Sequence, residues 1–213
     1  VSVKGPTDFV SNADTNAERI IIDELSKLKK NYSILSEEAG FVKNKDEKNI
    51  WIIDPIDGTS NFLHGIPHFA ISIALKSDNE IVSGVIYDPI KDEMFYAEKN
   101  NGSYLNNKSI RVSKRKNLDE ALFATGGNEN LNKSLTTRRS GSAALDMAYV
   151  AAGRFDGYFQ KNLNLWDVAA GIIIAKEAGA YINDIDLNKK DKIKVIASNN
   201  SISEKLLKNL TNF

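Results

Sequence analysis

Apolar residues recur at helical spacing in the N-terminal part of the chain. The spaced positions are Ala17, Ile20 or Ile21, Leu25 and Leu28. Residues three to four apart share one face of a helix, and Asn12 or Asp14 can cap its start with a side-chain oxygen. The pattern therefore predicts a helix over residues 14–30 that packs one face against a core.

The next part of the chain has the alternation and turn signals of β-structure. Strand candidates are residues 49–53, 69–75, 80–87 and 94–98. Asp78-Asn79 and Asp88-Pro89 lie between successive candidates, and such residue pairs are typical of tight turns. We predict an antiparallel sheet in this half.

The second half alternates between the two kinds of element. Strands are predicted at residues 122–125, 155–159, 180–185 and 194–197, and helices at 142–152, 166–178 and from 203 onward. Such alternation favours a mixed sheet covered by helices, hence an α/β or layered α+β fold. Because no low-complexity linker separates the halves, we predict one compact unit with two subdomains, residues 1–116 and 117–213.

The amino-acid composition limits the kinds of catalysis and binding that the chain can carry out. The chain carries 28 basic and 28 acidic residues, no cysteine and two histidines, His64 and His68. A balanced charge gives the whole protein no general attraction to nucleic acid or to an anionic membrane, and no apolar run is long enough to span one. Disulfides, thiolate catalysis and cysteine zinc sites are excluded, which fits a cytoplasmic protein. With so little histidine, hydrolysis would depend on carboxylates and a metal ion.

Residues 54–61, DPIDGTSN, are the strongest candidate for such chemistry. Pro55 and Gly58 break the strand pattern, so the side chains of Asp54 and Asp57 can converge instead of alternating across a sheet. Magnesium prefers carboxylate oxygens together with substrate phosphate oxygens. The string predicts a metal-assisted phosphate site, whereas a bare acidic turn after a strand is the alternative.

The string resembles the hallmark D-P-[IL]-D-G-T-x-N of the inositol monophosphatase family, which comprises magnesium-dependent, lithium-sensitive phosphatases. Two further family elements occur in the expected order, SEEAG upstream at residues 36–40 and LWDVAAG downstream at residues 165–171. Residues 141–153, GSAALDMAYVAAG, are similar to the bacterial branch. The resemblance runs from about Lys4 to the C-terminus, and it implies alternating layers of helix and sheet.

The resemblance also implies roles for individual residues. The metal ligands would be the carboxylates of Glu37, Asp54, Asp57 and Asp167 and the backbone carbonyl of Ile56. Four carboxylates at one point repel each other, so the group makes sense with two or three Mg²⁺ ions. One metal would lower the pKa of the attacking water and another would stabilise the leaving alkoxide.

Catalysis and substrate binding are assigned in the same way. Thr59 and Glu37 would orient the attacking water, and Asp14 resembles the family aspartate that hydrogen-bonds the threonine; on its own, Asp14 is also an ordinary helix cap. Backbone N–H groups of Gly58 and Thr59, at the start of a helix, would hold the phosphate. The substrate contacts would be Asp57, Gly58, Thr59, Gly141, Ser142, Ala143, Gln160 and Asp167. His64 and His68 are interpreted as surface or packing residues.

Three departures from the family pattern bear on these expectations. Gln160 stands where the family usually has a glutamate that binds substrate hydroxyls, so substrate choice would be altered. The segment between residues 126 and 138 is much shorter than in relatives, which indicates a deletion or missing residues. The long helix that normally precedes Lys4 is absent, and we expect that the chain is truncated there.

The resemblance predicts hydrolysis of inositol monophosphate by a homodimeric enzyme acting on a small phosphorylated metabolite. Related enzymes act on fructose 1,6-bisphosphate, adenosine 3',5'-bisphosphate or histidinol phosphate, and these esters stay open as substrates. A bacterial relative acts with transcription elongation factors, so RNA or a transcription factor is an alternative partner. The basic residues for it are Lys108, Arg111, Lys114, Arg115 and Lys116, which can equally be a solvated strand edge.

Overall fold

The computed structural model describes residues 2–3, 9–10, 12–127 and 135–210. Helix α1 (Asn12–Leu28) follows a two-stranded hairpin of β1 (Ser2–Val3) and β2 (Phe9–Val10). The helix lies at the position that its apolar spacing predicts, with both ends shifted by two residues, and it contacts strand β5 of the first sheet.

The first sheet contains eight strands in the order β10-β9-β8-β7-β6-β5-β3-β4. They are β3 (Tyr32–Ser36), β4 (Gly40–Val42), β5 (Asp46–Asp57), β6 (Ala70–Ser77), β7 (Glu80–Asp88), β8 (Glu93–Glu98), β9 (Ser103–Leu105) and β10 (Lys108–Ser109). All neighbours are antiparallel except β3 and β5, which are parallel. The four predicted strands pair in antiparallel fashion, as expected, whereas β3, which carries the chain to Glu37, was not predicted as a strand.

The second sheet is mixed, as predicted. Its order is β12-β11-β13-β15-β14, with β11 parallel to both neighbours and the remaining pairs antiparallel. The strands are β11 (Leu122–Ala124), β12 (Thr136–Arg138), β13 (Gly157–Leu163), β14 (Ala180–Ile182) and β15 (Ile193–Asn199). The division at residue 116 stays a prediction; one sheet lies entirely before it and the other entirely after it.

Helices α3 (Ala143–Ala151) and α4 (Leu165–Glu177) form the layer between the sheets. Helix α4 contacts the first sheet from β5 to β9, while α3 contacts β13 and β15 of the second. Most residues of both helices are buried, which explains their Ala-rich sequences. Helix α5 (Ser203–Asn209) packs through Leu206 against the far face of the second sheet, where Phe123 and Phe159 lie. The predicted alternation of helix and sheet layers is confirmed.

Close approach of α4 to the first sheet depends on Gly84 of β7. A Cβ atom at Gly84 would lie 2.7 Å from Ile173 Cγ2 and 2.9 Å from Ala170 Cα. No side chain fits between the strand and the helix at this point, so glycine sets the distance between the two layers. No helix among the described residues is both long and apolar enough to cross a membrane.

Candidate functional site

Strand β5 ends in the acidic turn. Its pairing with β6 shifts register between Asp54 and Asp57, so the chain bulges where the two carboxylates leave the sheet. The N–H of Ile56 donates to Asp54 Oδ1 at 3.1 Å. Gly58 has φ +94°, and a Cβ there would be 3.2 Å from the carbonyl oxygens of Gly141 and His68. Both its left-handed conformation and its crowding explain glycine at this position.

The five-residue helix α2 (Thr59–Leu63) begins immediately after this glycine. The hydroxyl of Thr59 donates to the carbonyl oxygen of Ile56 at 3.0 Å, which folds the turn back on itself. The carbonyl retains a second lone pair, so this hydrogen bond leaves Ile56 able to act as a ligand.

Asn61 of α2 joins the turn to the second half of the chain. Its amide Nδ2 donates to the carbonyl oxygens of His68 at 2.7 Å and Ser140 at 2.9 Å. A Cβ on Gly141 would lie 2.8 Å from the same amide nitrogen, so Gly141 allows the chain to approach Asn61. The two segments that form the site are thereby held against each other.

Asp57 is bound by the start of α3. The hydroxyl of Ser142 and the N–H of Ala144 donate to Asp57 Oδ2, the latter at 2.8 Å, and the N–H of Ala143 donates to Oδ1 at 3.3 Å. Ser142 also caps α3, since its Oγ accepts from the N–H of Leu145 at 3.2 Å. Donors that the sequence assigns to substrate are thus directed at Asp57 here.

Asp167 lies in the first turn of α4. Its Oδ2 accepts from the N–H of Asn164 at 2.7 Å, which is the ordinary capping arrangement at a helix start. Asp167 nevertheless lines the same cavity as Asp54 and Asp57. The capping and ligand interpretations are therefore compatible, one oxygen serving each.

These elements surround a cavity of about 510 Å³. Every site residue predicted from the sequence lines it except Asp14. Glu37 enters from the end of β3, where its N–H donates to the carbonyl oxygen of Ile53 at 3.2 Å. The parallel pairing of β3 with β5 thus brings Glu37 beside the acidic turn. Glu37 also shares the cavity with Asp167, which is far from it in sequence.

Burial, and after it the nearness of other carboxylates, raises the pKa values of Asp54 and Asp167. The pKa of Asp54 lies well above its usual range, chiefly because the group is buried and then because Asp57, Glu37 and Asp167 are near. Burial likewise raises the pKa of Asp167 to about 8, against the hydrogen bond from Asn164. Without a cation, the site therefore favours protonated carboxyl groups at neutral pH.

The pKa of Asp57 is shifted less than that of Asp167. Burial raises the pKa of Asp57 to about 6, and the hydrogen bonds from Ser142 and the α3 N–H groups oppose the shift. Donors aimed at a carboxylate favour its ionised form. Hydrogen bonding thus offsets burial more at Asp57 than at Asp54 or Asp167.

This donor set fits magnesium in its chemistry. Carboxylate and carbonyl oxygens are the hard ligands that the ion takes, and a divalent cation would relieve the repulsion that raises these pKa values. Within the part of the chain that the structure describes, no three acidic, histidine or cysteine side chains are gathered closely enough to hold a metal as they stand. The carboxylates surround the cavity, and Asp57 is turned toward α3.

Sequence reasoning missed four residues of the cavity lining, Ser60, Gly126, Asp146 and Leu163. Asp146 is buried and accepts from Ser140 Oγ at 2.6 Å; burial raises the pKa of Asp146 to about 8. Its position four residues after Ser142, hence on the same face of α3, was an available signal. Gly126 directly follows the predicted strand at residues 122–125, but nothing in the sequence ties it to a pocket.

The remaining predicted residues lie outside the cavity lining. Asp14 is buried in the first turn of α1. His64 is exposed, and its Nδ1 lies 2.8 Å from the carbonyl oxygen of Ser60; half-buried His68 packs 6.0 Å from the ring of Tyr149. Most of the shortened segment, residues 128–134, is outside the described residues.

Comparisons with known proteins agree with the arrangement. The family profile described as "Inositol monophosphatase family" matches residues 1–212. An inositol-1-monophosphatase of Rhizobium meliloti is 48% identical over 201 residues, covering 87% of this chain and 76% of the relative. A Xylella fastidiosa protein named Nus factor SuhB is 42% identical over 196 residues, covering 85% of this chain and 70% of the relative. The crystal structure of the extragenic suppressor protein SuhB from Bartonella henselae has a TM-score of 0.91 and 44% identity, covering 100% of this chain and 88% of that one.

Proposed function

Because this chain belongs to the inositol monophosphatase family, we propose that it hydrolyses inositol monophosphate to inositol and phosphate in a magnesium-dependent reaction. The observation that carries the proposal is the meeting of Glu37, Asp54, Asp57 and Asp167 with the Gly58 turn around one cavity. Hydrolysis of a phosphate ester needs cations to balance the phosphate charge. It also needs hydrogen-bond donors beside them, which the backbone N–H groups of this turn would supply. The relative from Rhizobium meliloti supports the substrate by its name.

Glu37, Asp54, Asp57, Asp167 and the Ile56 carbonyl would hold two or three Mg²⁺ ions. Magnesium, when bound, supplies positive charge that stabilises the phosphoryl oxygens and makes a neighbouring water a stronger nucleophile. All four carboxyl groups would act in this role as oxygen ligands, and the raised pKa values of Asp54, Asp57 and Asp167 would fall once a cation compensates their charge.

Other residues position the reactants. The Thr59 hydroxyl, held within reach of the Ile56 carbonyl, would orient the attacking water together with Glu37. The N–H groups of Gly58 and Thr59 would bind phosphate oxygens, and Asp14 would support the threonine from α1. Near the start of α3, Gly141, Ser142 and Ala143 would meet the inositol ring.

The direct test is release of phosphate from inositol 1-phosphate, with and without magnesium. Fructose 1,6-bisphosphate, adenosine 3',5'-bisphosphate and histidinol phosphate are assayed in parallel, because related enzymes use them. Magnesium-dependent turnover that prefers inositol 1-phosphate supports the proposal. Preference for another ester would keep the reaction and replace the substrate, and absence of turnover for all four would refute it.

A paired substitution tests the metal assignment. Asp57→Asn keeps the shape of the side chain but removes its charge, so we expect phosphate release to fall at least about 100-fold at millimolar magnesium. Asp78→Asn changes an exposed aspartate of the β6–β7 turn and serves as the control. Equal activity of the two variants, with wild-type circular dichroism for both, would remove Asp57 from the metal site.

A second candidate is a binding role, which relatives named Nus factor SuhB favour. The basic residues predicted for this role are all exposed: Lys108, Arg111, Lys114, Arg115 and Lys116. Arg115 is already paired with buried Asp156 at 3.1 Å, so the other four carry the available charge. RNA binding that weakens with salt and disappears when these four are neutralised, but not when the lysines of residues 27–30 are, would support it.

The family resemblance also leads us to propose a homodimer. Sedimentation equilibrium at several concentrations measures the mass directly; a mass of one chain at micromolar protein contradicts it.

A further inference from the structure

The buried side chains of helix α1 are acidic. Of its 17 residues, those that are buried are Asp14 and Glu18, which lie four positions apart and hence on one face of the helix. The apolar residues Ile20 and Leu28 are 54% and 74% exposed. Burying a carboxylate costs free energy unless hydrogen-bond donors satisfy it, so the donors to these acids indicate what the helix contributes. For Glu18 the donors belong to the turn between β3 and β4.

This turn, residues 37–39, carries Glu37 to the cavity. The N–H of Glu37 donates to the carbonyl oxygen of Ile53 at 3.2 Å, which fixes the start of the turn against β5. The N–H groups of the next two residues, Glu38 and Ala39, donate to Glu18 Oε1 at 3.1 Å and 3.2 Å. A single carboxylate oxygen of α1 therefore binds the rest of the turn.

Glu37 differs from the other three carboxylates of the site in its support. Asp54 and Asp57 belong to β5 and Asp167 belongs to α4, so the hydrogen bonds of a strand or a helix hold their backbone. Glu37 lies in a turn that is partly open to solvent, where Ala39 is exposed. Water can bond the N–H groups of such a turn if Glu18 is removed, so the loss should free the turn without unfolding the sheet.

We propose that Glu18 is a positioning residue, which holds the turn of residues 37–39 so that the carboxylate of Glu37 reaches a metal ion in the cavity. The inference rests on the proposed function, because that function assigns Glu37 to metal binding. Removing a group that orients a metal ligand from behind typically weakens metal binding about 10–100-fold. Glu18 should therefore change metal affinity although it does not line the cavity itself.

Three substitutions test the proposal. Glu18→Leu keeps an apolar side chain of similar length and removes both hydrogen bonds. Glu18→Gln keeps an oxygen acceptor but removes the charge that strengthens the bonds. Glu24→Gln makes the same chemical change at an exposed position of α1, where the carboxylate pairs with Lys27 at 2.6 Å, and is the matched control.

Binding of Mn²⁺ to the metal-free protein, followed by electron paramagnetic resonance, measures metal affinity without turnover; Mn²⁺ prefers the same oxygen ligands as Mg²⁺. Glu18→Leu should raise the Kd of at least one Mn²⁺ ion about tenfold or more. Glu18→Gln should raise it about threefold, because its neutral oxygen accepts weaker hydrogen bonds, and Glu24→Gln should leave it unchanged.

Hydrogen exchange of the metal-free protein, followed by NMR, reports the turn directly. The N–H groups of Glu38 and Ala39 should exchange faster in Glu18→Gln and fastest in Glu18→Leu, while Glu24→Gln retains the wild-type rates. Unchanged rates at these two positions in Glu18→Leu would show that Glu18 does not hold the turn.

The remaining outcomes separate this inference from the proposed function. Wild-type Mn²⁺ affinity in Glu18→Leu refutes the positioning role, even where exchange is faster. If Glu18→Leu does not fold, Glu18→Gln decides, and an Mn²⁺ affinity equal to that of Glu24→Gln overturns the proposal. Failure of the wild-type protein to release phosphate from inositol 1-phosphate would refute the proposed function, whereas the Mn²⁺ affinities would still decide the role of Glu18.

Discussion

Replacing Gly84 with alanine should separate the first sheet from α4. The new Cβ would lie 2.7 Å from Ile173 Cγ2 and 3.0 Å from the carbonyl oxygen of Ala170, whereas ordinary contacts begin at 3.4 Å. Ala170 contributes backbone atoms, which cannot rotate away as a flexible side chain could. The layers must therefore move apart by about half an ångström, and overpacking of this kind costs about 1–3 kcal/mol.

The same shift should reach the active site. Helix α4 begins at Leu165 and carries Asp167 in its first turn, so a displaced helix moves one of the cavity carboxylates. Misplacement of about 1 Å can cost about 100-fold in rate, so we expect kcat to fall by about tenfold for a smaller shift.

Thermal unfolding followed by circular dichroism measures the stability effect. For a chain of this size the expected loss corresponds to a Tm lower by about 2–12 °C. Ser83→Ala changes the neighbouring position of β7, whose side chain points to the opposite face of the sheet, and is the control. A Gly84→Ala protein with the Tm and kcat of the Ser83→Ala protein would refute the argument that this glycine sets the layer spacing.

Three further outcomes are expected. Ser142→Ala removes a hydrogen bond that lowers the pKa of Asp57, so the acidic limb of the kcat/KM profile should move to higher pH; an unchanged limb contradicts this. In chelator, the raised pKa values of Asp57, about 6, and Asp167, about 8, mean that the folded protein binds more protons than the unfolded chain above about pH 4, so its free energy of unfolding should fall as pH rises toward 8. Millimolar magnesium should reverse this loss in a urea titration at pH 8, and a flat profile in chelator would be inconsistent with buried, crowded carboxyls. Asp156→Ala leaves the N–H of Leu122 without its acceptor and should destabilise by about 1–3 kcal/mol in the same titration, whereas no change would show that water replaces the carboxylate.

Elements with a complete local signal could be predicted from the sequence. The apolar spacing of α1 and α4 and the alternation of β6 and β7 predicted the bounds of these elements to within two residues. The layered fold is confirmed, and so is the family. These features depend on periodicity or on short strings, both of which are properties of neighbouring residues.

Features created by distant pairing could not be predicted. Strand β3 has only five residues and no clear alternation, so its parallel pairing with β5 becomes visible only when both are folded. Gln160 was expected to contact substrate because of its position in the family pattern, but its hydrogen bond from the Tyr158 hydroxyl is a consequence of packing. Asp146 shares a helix face with Ser142, yet its burial depends on elements from both halves.

The amide bridge of Asn61 has a consequence for how the protein folds. Asn61 and Ser140 are 79 positions apart, and Asp57 and Ser142 are 85 apart. Contacts of such high sequence separation require both sheets to be in place and are among the slowest to form. Native-like secondary structure should therefore return before phosphatase activity during refolding, and a chain that is interrupted between the two sheets would regain strands and helices without a working site.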